Sequence, residues 1–521
     1  MNGRTVSMPA VARDLLAAAR GLLRGRTAYL VGGSLRDRLL ALPLRDLDLA
    51  VAGDASQLAR ALADRTGGHY VVLDSERAIS RIVLDDGEIG TIDVAPLRGD
   101  IHDDLAERDF TIDALAAPIE PLADGVAVEP IDPHGGLDDL ANGIIRLVSE
   151  RALAADPLRL LRAVRLAAQL DFGIEPESAN AIRANAGRIG EAAAERQRDE
   201  LARCFATPRA APALRMLDEL GLLEQLLPEV TAGRGIIQPK EHYWDVFDHA
   251  IEAVAALDFM LSEERPAGER QAQFWSVLWN ALAPFPELRP YLNEHLTEER
   301  SRSALLKLAG LLHDVAKPET RAPDASGRIR FFGHADRGAE LARGIMRRFR
   351  FSRRETDFVA TMVEEHLRPT QLSHEGPPSR RALFRYFRDT GEAAEGTLLL
   401  SLADVLAARG PRLDLDGWGG YVAYIAHVLA RRNEEEAVAR PARLLTGDDV
   451  MAALSLSPGP AVGRLLAALE EAHACGDVRT RADALRFIQR EQRSGGAESR
   501  LPAAASGAAG ARVAAATGER G

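Results

Sequence analysis

Cysteine is scarce in this sequence, and long apolar runs are missing. Only two cysteines, Cys204 and Cys475, occur among 521 residues, which excludes a disulfide framework and a thiolate metal site. Near the N-terminus the apolar residues are interrupted by charges such as Arg4, Arg13 and Asp14, so we expect no signal peptide and no membrane-spanning helix. These absences predict a cytoplasmic protein that does not enter a membrane.

Excess positive charge and internal repeats are missing as well. The formal net charge is −12 at pH 7, which argues against a protein coated with nucleic acid but not against local basic surfaces. Arginines are concentrated in two runs, and each run is either a solvated helix face or a phosphate-binding surface. The first run contains Arg343, Arg347, Arg348, Arg350, Arg353 and Arg354, and the second contains Arg380, Arg381, Arg385 and Arg388.

The length of the chain and the change of pattern along it predict an α+β multidomain protein. A chain of 521 residues is too long for one ordinary hydrophobic core. Strand-like runs alternate with helical ones as far as Val148, and helical patterns interrupted by prolines follow, with no strand signal after Glu150. The predicted regions are an N-terminal helical segment (1–26), a small α/β head (27–148), a helical neck (149–235), a helical domain (236–410), a C-terminal helical region (411–493) and a disordered tail (494–521).

Two strand-like runs at the start of the head carry the chemistry on which the functional prediction depends. A Gly-Gly turn, Gly32 and Gly33, follows the first run and precedes a short amphipathic helix, and such a turn lets the backbone approach a phosphate closely. The second run begins near Asp46 and Asp48. Residues two apart in a strand point to the same side, so both carboxylates face one point in space. Such a pair suits Mg²⁺, which usually keeps substrate phosphates among its ligands.

The whole stretch matches the pattern G-G-x-x-R-D followed by D-x-D. In this the chain resembles the nucleotidyltransferase superfamily of DNA polymerase beta, and specifically the bacterial tRNA nucleotidyltransferase and poly(A) polymerase family. The resemblance implies that Asp46 and Asp48 are catalytic and hold Mg²⁺. Asp93 is placed to complete this metal site, although a strand-end aspartate facing water explains it nearly as well. The residues implied to bind the nucleotide here are Gly32, Gly33, Arg36 and Asp37.

The segment from Glu107 to Leu115 resembles the family's second motif, R-R-D-F-T-I-N-A-L. The resemblance implies that Arg108 binds phosphate and that Asp109 approaches the ribose. Two positions depart from the pattern, since Glu107 replaces an arginine and Asp113 replaces the asparagine. Each change removes a positive or neutral group near a polyanion, so we expect triphosphate binding to be weakened or re-routed.

Asp156 and Arg159 carry the predicted recognition of the nucleobase. They lie three residues apart on a predicted helix and therefore share a face, where a carboxylate and a guanidinium can pair with the edge of a base. They resemble the family's E-D-x-x-R element, which selects CTP or ATP without a nucleic-acid template, but Ala155 stands in place of the glutamate. Arg162 and Arg165 follow on the same helix and are also predicted to bind the nucleotide. A capping aspartate with a surface ion pair is the alternative interpretation.

Histidine and aspartate side chains recur in the second half of the chain, in the order H, HD, H, H, D. This order resembles the HD phosphohydrolase superfamily. Imidazole and carboxylate ligands suit Mn, Fe, Ni, Co or Zn, and a metal-bound water becomes a nucleophile toward phosphorus. Lys317 could hold a substrate phosphate. The resemblance implies that His249, His313, Asp314 and Asp404 bind one metal ion and that His334 and His366 permit a second.

Together these resemblances imply a template-independent enzyme that adds CMP, AMP or both to the 3′ end of tRNA, fused to a metal-dependent HD phosphohydrolase. The expected partners are ATP, CTP and tRNA or another RNA 3′ end, and the expected cofactors are Mg²⁺ in the head and a transition metal in the HD domain. Addition of CCA, CC, A or poly(A) remains open. Two alternatives are an HD hydrolase of phosphomonoesters or 2′,3′-cyclic phosphates whose head mainly positions RNA, and a non-catalytic RNA-binding protein.

Overall fold

The computed structural model describes residues 4–85, 87–239, 242–297, 300–374, 376, 378–436 and 444–498. The chain divides into two compact units. The first comprises Met1–Gln371 and Glu392–Ala426, and the second comprises Leu372–Gly391 and His427–Gly521. Among the described helices, none combines the length and the apolar composition that crossing a membrane requires.

A single mixed sheet forms the centre of the head and positions the predicted aspartates. Its strands are β1 (Ala28–Val31), β2 (Asp46–Val51), β3 (His69–Asp74), β4 (Ile79–Val83), β5 (Thr91–Pro96) and β6 (Ala116–Pro118). Their order across the sheet is β3-β4-β5-β2-β1-β6. Strands β2 and β5 run parallel, and the other neighbours are antiparallel. The predicted α/β pattern of the head is confirmed, although the short edge strand β6 carried no signal in the sequence.

Helices cover this sheet and bury its apolar residues. The head helices are α1 (Ala10–Leu22), α2 (Gly33–Leu39), α3 (Ala55–Thr66) and α4 (Ile101–Ala106). Asp54 caps α3 by accepting a hydrogen bond from the backbone N–H of Gln57 (2.8 Å), which satisfies one of the free donors at the helix start. Leu47, Leu49 and Ile92 are buried in the core, so the alternate residues of β2 and β5 are free to face the site.

The rest of the first unit is mainly helical and packs around two central helices. Its long helices are α5 (Arg159–Leu170), α6 (Ala194–Ala206), α7 (Ala210–Glu219), α8 (Val246–Leu261), α9 (Arg302–Leu312), α10 (His334–Arg348), α11 (Arg353–Glu365) and α12 (Ala394–Arg409). Helix α5 packs on α6 and α7, and α9 packs on α8, α11 and α12. Shorter or peripheral helices are Ile119–Ala123, Gly136–Asn142, Arg151–Ala155, Pro176–Asn185, Leu222–Leu226, Pro228–Thr231, Glu269–Leu282, Leu288–Asn293 and Lys317–Thr320. Two further helices, Arg368–His374 and Leu415–Glu436, each begin in the first unit and end in the second.

The prediction that strands end after Glu150 is wrong in detail. Short two-stranded ribbons interrupt the helices, and each strand has only two or three residues. Such pieces are too brief to show an alternating apolar pattern, which is why they could not be predicted. The pairs are Ile144–Ile145 with Gly173–Ile174, His295–Thr297 with Arg300–Ser301, and Ala322–Pro323 with Ile329–Arg330.

The second unit has a small apolar core of its own. Val450, Leu469 and Ile488 are buried in that core. Its helices are Arg380–Thr390, Gly447–Leu454, Pro460–Ala474 and Arg481–Glu498. The last helix extends to Glu498 and so enters the predicted disordered tail, of which residues 499–521 lie outside the described part of the chain.

Ion pairs account for much of the two arginine runs. In the first run, Arg348 pairs with Glu229 (2.5 Å) and Arg354 pairs with Glu392 (2.8 Å). In the second run, Arg385 pairs with Glu471 at 2.7 Å. These contacts favour ion-paired helix faces over phosphate-binding surfaces.

Candidate functional sites

The predicted catalytic aspartates lie side by side in the sheet of the head. Parallel pairing of β2 and β5 places Asp48 opposite Asp93, and Asp46 lies two residues before Asp48 on the same strand. Burial, together with the charges of Asp46 and Asp93, raises the pKa of Asp48 to about 6. Carboxylate oxygens gathered in this way are the ligands that a hard divalent cation prefers. The donor set therefore fits Mg²⁺.

The Gly-Gly turn lies against these carboxylates. Gly32 has φ +67°, and a Cβ built on it would lie 2.8 Å from Nη1 of Arg108. A Cβ on Gly33 would lie 3.7 Å from Oδ2 of Asp48. Backbone conformation therefore favours glycine at position 32, and a side chain there would displace the end of Arg108.

Ser34 holds Asp48 in place, a role that the sequence did not reveal. The backbone N–H of Asp48 donates to Oγ of Ser34 (2.8 Å), and the hydroxyl donates to Oδ2 of Asp48 (3.2 Å). The serine directly follows the Gly-Gly pair. Its position in the turn was the one feature of the sequence that could have indicated this contact with Asp48.

Asp93 reaches the site but is held by an arginine. Nε and Nη2 of Arg81, on the adjacent strand β4, donate to the two carboxylate oxygens at 2.7 and 2.8 Å. Register explains the contact, since Arg81 is paired with Asp93 across the antiparallel strands. The proposed role of Asp93 as a metal ligand stays a prediction. Each of its oxygens keeps a further lone pair beyond the one that Arg81 uses.

Arg36 and Asp37 lie beside the cleft in an internal ion-pair group. Arg36 donates through Nη1 to Asp113 (2.7 Å) and through Nε to Asp37 (2.8 Å). The charge that Asp113 adds to the second motif is thus neutralised by Arg36. Of the three residues only Asp113 lines the cleft, and the guanidinium of Arg36 is already shared, so its contact with a triphosphate stays a prediction.

A cleft of about 310 Å³ opens beside Asp48 and Asp93, and Asp46 does not line it. Arg108 pairs with Asp104 (3.1 Å) and Arg162 pairs with Asp109 (3.1 Å) on its wall. Burial opposes ionisation of Asp109, but Arg162 and Arg159 lower its pKa below the ordinary value. The lining residues include Gly32, Gly33, Asp48, Asp93, Arg98, Asp104, Glu107, Arg108, Asp109, Asp113, Arg159 and Arg162.

Asp156 and Arg159 are not paired with each other. Nη2 of Arg196 lies 2.6 Å from Oδ2 of Asp156, and this contact lowers the pKa of Asp156 although burial acts in the opposite direction. Arg159 donates to the carbonyl oxygens of Ala152 (3.2 Å) and Glu107 (3.1 Å). Both side chains are thus held by other groups, and Arg196, on α6, is a residue that sequence reasoning did not assign to base recognition.

Arg165 is placed away from the cleft. Its Nε donates to Glu200 at 2.6 Å, and both side chains are buried between α5 and α6. It is absent from the cleft lining. This geometry gives the predicted nucleotide contact no support and assigns Arg165 to helix packing.

The six predicted HD ligands converge on one buried centre in the helical half of the first unit. Nε2 of His249 lies 3.1 Å from Nε2 of His313 and 3.1 Å from Oδ1 of Asp404. Oδ2 of Asp314 lies 3.3 Å from Nε2 of His249 and 3.2 Å from Nε2 of His313. The other oxygen of Asp314 lies 3.3 Å from Nε2 of His334 and 3.7 Å from Nε2 of His366.

Backbone carbonyls show which ring nitrogens face the centre without a proton. Nδ1 of His313, His334 and His366 lies 2.7 to 2.8 Å from the carbonyl oxygen three residues earlier. A carbonyl can only accept, so Nδ1 carries the hydrogen, and in a neutral ring Nε2 then offers a lone pair. Burial lowers the pKa of His366 to about 3, which keeps that ring neutral. His313 differs, because burial opposes its charge but Asp314 and Asp404 raise its pKa to about 10, so a bound cation would replace the proton on its Nε2.

The donor set of this centre fits a borderline metal ion. Oδ1 of Asp314 and Nε2 of His334 are buried and have no hydrogen-bond partner, and a cation would satisfy both. Two groups have ligand atoms within 4.8 Å of one another, His249–His313–Asp314 and Asp314–His334–His366. Asp314 belongs to both groups and would bridge two ions.

His242 and Gln238 lie around the HD centre but were not predicted as part of it, and Lys317 has partners there that were not expected. The ring of His242 lies edge-on to His249 with centroids 5.3 Å apart. Lys317 lies 2.5 Å from Oδ2 of Asp314 and donates to Gln238 at 2.6 Å. Lys317 is therefore paired with a predicted metal ligand rather than free for a substrate phosphate.

Three family descriptions match successive parts of the chain. "Poly A polymerase head domain" matches residues 28–146, "Probable RNA and SrmB- binding site of polymerase A" matches residues 171–233, and "HD domain" matches residues 288–409. An A-adding tRNA nucleotidyltransferase of Deinococcus radiodurans is 38% identical over 469 residues, covering 89% of this chain and 95% of that protein. The chain belongs to the bacterial tRNA nucleotidyltransferase family.

Other members of this family differ in what they add. A CC-adding tRNA nucleotidyltransferase of Thermus thermophilus is 36% identical and covers 89% of this chain and 93% of that protein. Among solved structures, a Thermotoga maritima CCA-adding enzyme complexed with tRNA covers 93% of this chain and 96% of its own, with 19% identity and a TM-score of 0.54. A CCA-adding enzyme with ATP covers 95% and 96%, with 19% identity and a TM-score of 0.57. The fold class and family predicted from the sequence are confirmed.

Proposed function

We propose that this tRNA nucleotidyltransferase transfers CMP, AMP or both from CTP and ATP to the 3′ end of tRNA. One observation carries the proposal: Asp48, two residues after Asp46 on the same strand, lies beside a glycine turn that opens on an arginine-lined cleft. The relatives named A-adding and CC-adding are nearly equally similar to this chain, so identity does not choose between the two products. Because tRNA is the substrate, we place the activity in the cytoplasm.

In the proposed reaction the 3′-oxygen of the RNA attacks the α-phosphorus of the nucleotide. A phosphodiester bond forms, the α–β anhydride bond breaks, and pyrophosphate leaves. Asp46 and Asp48 would hold Mg²⁺, which makes the hydroxyl more acidic and neutralises the departing charge. Ser34 keeps Asp48 oriented, and the bare backbone of Gly32 leaves room for the phosphates beside Arg108.

Base selection in this proposal requires Asp156 and Arg159 to exchange their present partners for the nucleotide. Arg159 gives up only backbone carbonyls, whereas Asp156 shares its charge with Arg196. A base edge that both accepts and donates can replace these contacts without leaving a buried group unpaired. Arg196 would then be the group that Asp156 releases when the base binds.

Incubation of the protein with tRNA lacking its 3′ CCA, and separately with tRNA ending in CC, tests this function. Each labelled nucleoside triphosphate is supplied alone with Mg²⁺. We expect CMP on the first substrate, AMP on the second, or both. Absence of any incorporation, with Asp46→Asn indistinguishable from the unaltered chain, would sink the proposal. Long homopolymeric A tails would instead indicate a poly(A) polymerase.

A second activity is favoured by the inward-facing lone pairs of the HD centre. We propose that this centre binds one or two Mn, Fe, Ni, Co or Zn ions and hydrolyses phosphomonoesters or phosphodiesters such as 2′,3′-cyclic phosphates. The bound metal would supply a nucleophilic water, and the histidines and Asp314 would hold it through the atoms described above. Hydrolysis assays with each metal, on the unaltered chain and on Asp314→Asn, test this function. Equal rates for the two proteins would contradict it.

A further inference from the structure

Three arginines that line the head cleft are each paired with a carboxylate that lines it too. Arg108 pairs with Asp104 (3.1 Å), Arg162 with Asp109 (3.1 Å) and Arg98 with Glu107 (2.6 Å). A nucleoside triphosphate brings about four negative charges to the same wall. Each pair must therefore either persist beside the polyanion or release its arginine to it.

The pairs differ in what release would leave behind. The side chains of Asp104 and Asp109 are only 9% and 8% exposed, whereas that of Glu107 is 59% exposed. Removing the ion-pair partner of a buried carboxylate costs free energy, because neither water nor another cation replaces that partner. An exposed carboxylate is rehydrated, and exposed ion pairs contribute little to stability. The Arg98–Glu107 pair is therefore much easier to exchange than the other two.

We propose that Arg98 binds the triphosphate of the incoming nucleotide, and that Glu107 holds Arg98 until the nucleotide replaces it. The proposal rests on the nucleotidyl transfer proposed above. Arg98 lies two residues after the end of β5, the strand that carries Asp93, and it lines the same cleft as Asp48. Its guanidinium can form two parallel hydrogen bonds to phosphate oxygens, as it does with carboxylates.

Glu107 also connects the two ends of this cleft wall. Its side chain accepts from Arg98 (2.6 Å), and its carbonyl oxygen accepts from Arg159 (3.1 Å). Where the family motif has an arginine, this chain has Glu107, and Arg98 supplies a positive charge next to it. The sequence predicted that triphosphate binding is weakened or re-routed, and the proposal identifies Arg98 as the residue that takes it over.

Steady-state kinetics with tRNA lacking its 3′ end test the proposal. For Arg98→Gln we expect the KM for the accepted nucleotide to rise about tenfold, the size of one charge-assisted contact, with kcat within about twofold. Glu107→Gln removes a competitor for Arg98 and a negative charge, so its KM should fall about threefold. In the Arg98→Gln background the benefit of Glu107→Gln should shrink, because the competition no longer exists.

Two matched variants show whether the effect belongs to Arg98. Arg188 forms an exposed ion pair with Glu191 (2.8 Å) outside the cleft, so Arg188→Gln should leave KM unchanged. Arg77 lines the cleft but lies on the turn between β3 and β4. A KM increase for Arg77→Gln as large as that for Arg98→Gln would replace the proposal with a general charge effect. An unchanged KM for Arg98→Gln would overturn it outright.

Equilibrium binding separates failure of this proposal from failure of the proposed function. ATP and CTP are titrated with Mg²⁺ against the unaltered chain and Arg98→Gln by calorimetry, without tRNA. If the unaltered chain incorporates no nucleotide but binds one about tenfold more tightly than Arg98→Gln, the transfer proposal fails and Arg98 keeps its role. Equal affinities would reject Arg98 whatever the incorporation assay shows.

Discussion

The head cleft and the HD centre both gather carboxylates, but they treat the charge differently. In the head, arginines pair with each carboxylate that lines the cleft except Asp48, and the cleft is open to solvent. In the HD centre, ring nitrogens and carboxylate oxygens face one another in the interior, where His249 and His313 are 0% exposed. The first arrangement suits a polyanion that comes and goes. The second suits a cation that stays.

The difference also predicts how each site fails. Arginine pairs can be exchanged one at a time, so single changes in the head should alter affinity by graded amounts. The HD centre depends on several ligands around the shared Asp314, so removing one should release the metal and abolish its chemistry together. The predictions below follow from this contrast.

We expect the largest effect on activity at the carboxylate pair of the head, Asp46 and Asp48, because this is where the head resembles the HD centre. Asp48→Asn removes a charge that a divalent cation needs, and we expect a loss of about 4 kcal/mol of transition-state stabilisation, or about a thousandfold in kcat for nucleotide addition. Hydrolysis at the HD centre should be unchanged. Initial rates of CMP and AMP incorporation measure the first effect, and an equal loss of both activities would break the separation of the two sites.

The reciprocal change is Asp314→Asn. It removes the carboxylate shared by both ligand groups, and we expect phosphatase or cyclic phosphodiesterase activity to fall about a hundredfold, with loss of bound transition metal. Nucleotide addition should stay within about twofold. Elemental analysis of the purified protein measures metal content independently of activity. Full retention of metal in the variant would contradict the bridging role.

A smaller effect is expected at Gly32. Alanine at this positive φ should destabilise the fold by about 1 to 2 kcal/mol and displace Arg108, whose Nη1 lies 2.8 Å from the added Cβ. Gly25 is the matched control, because it has φ +83° and open space around it. We expect both alanine variants to lose similar stability by thermal unfolding, but only Gly32→Ala to lose about tenfold in nucleotide addition.

The smallest effect on activity is expected at Arg165. Its replacement by Gln leaves Glu200 buried without a partner, which should lower the free energy of unfolding by about 3 kcal/mol. The KM for the nucleotide should stay within about twofold, because Arg165 does not line the cleft. Denaturant unfolding and initial-rate kinetics give the two values. A large rise in KM with unchanged stability would restore the nucleotide contact predicted from the sequence.

Local pattern predicted much of the fold and the chemistry of both sites. Strand periodicity placed Asp46 and Asp48 on one side of β2, and the order of histidines and aspartates indicated a metal centre whose side chains do converge. The first signal lies within one strand, whereas the second is an ordered set of residues from His249 to Asp404 that the resemblance to the HD superfamily made visible. The alternation of strands and helices likewise follows from period, because the apolar residues of each element face one core.

Partners that depend on register or on distant helices could not be predicted. Arg81 holds Asp93 because β4 pairs with β5, and Arg196 holds Asp156 from forty positions further along the chain. Nothing near Asp93 or Asp156 in the sequence indicates those contacts. The same limit explains Arg36 and Arg165, which have the residue type of phosphate ligands but are shared with internal carboxylates.

Sequencing the 3′ ends of tRNA after incubation with the unaltered protein, CTP, ATP and Mg²⁺ tests the central claim most directly. The starting tRNA lacks its CCA end in one reaction and lacks only the terminal A in the other. We predict new C or A residues at one or both of these ends, and their loss in Asp48→Asn. Unchanged 3′ ends in both reactions, from a folded protein, would contradict the assignment of the head as a tRNA nucleotidyltransferase site.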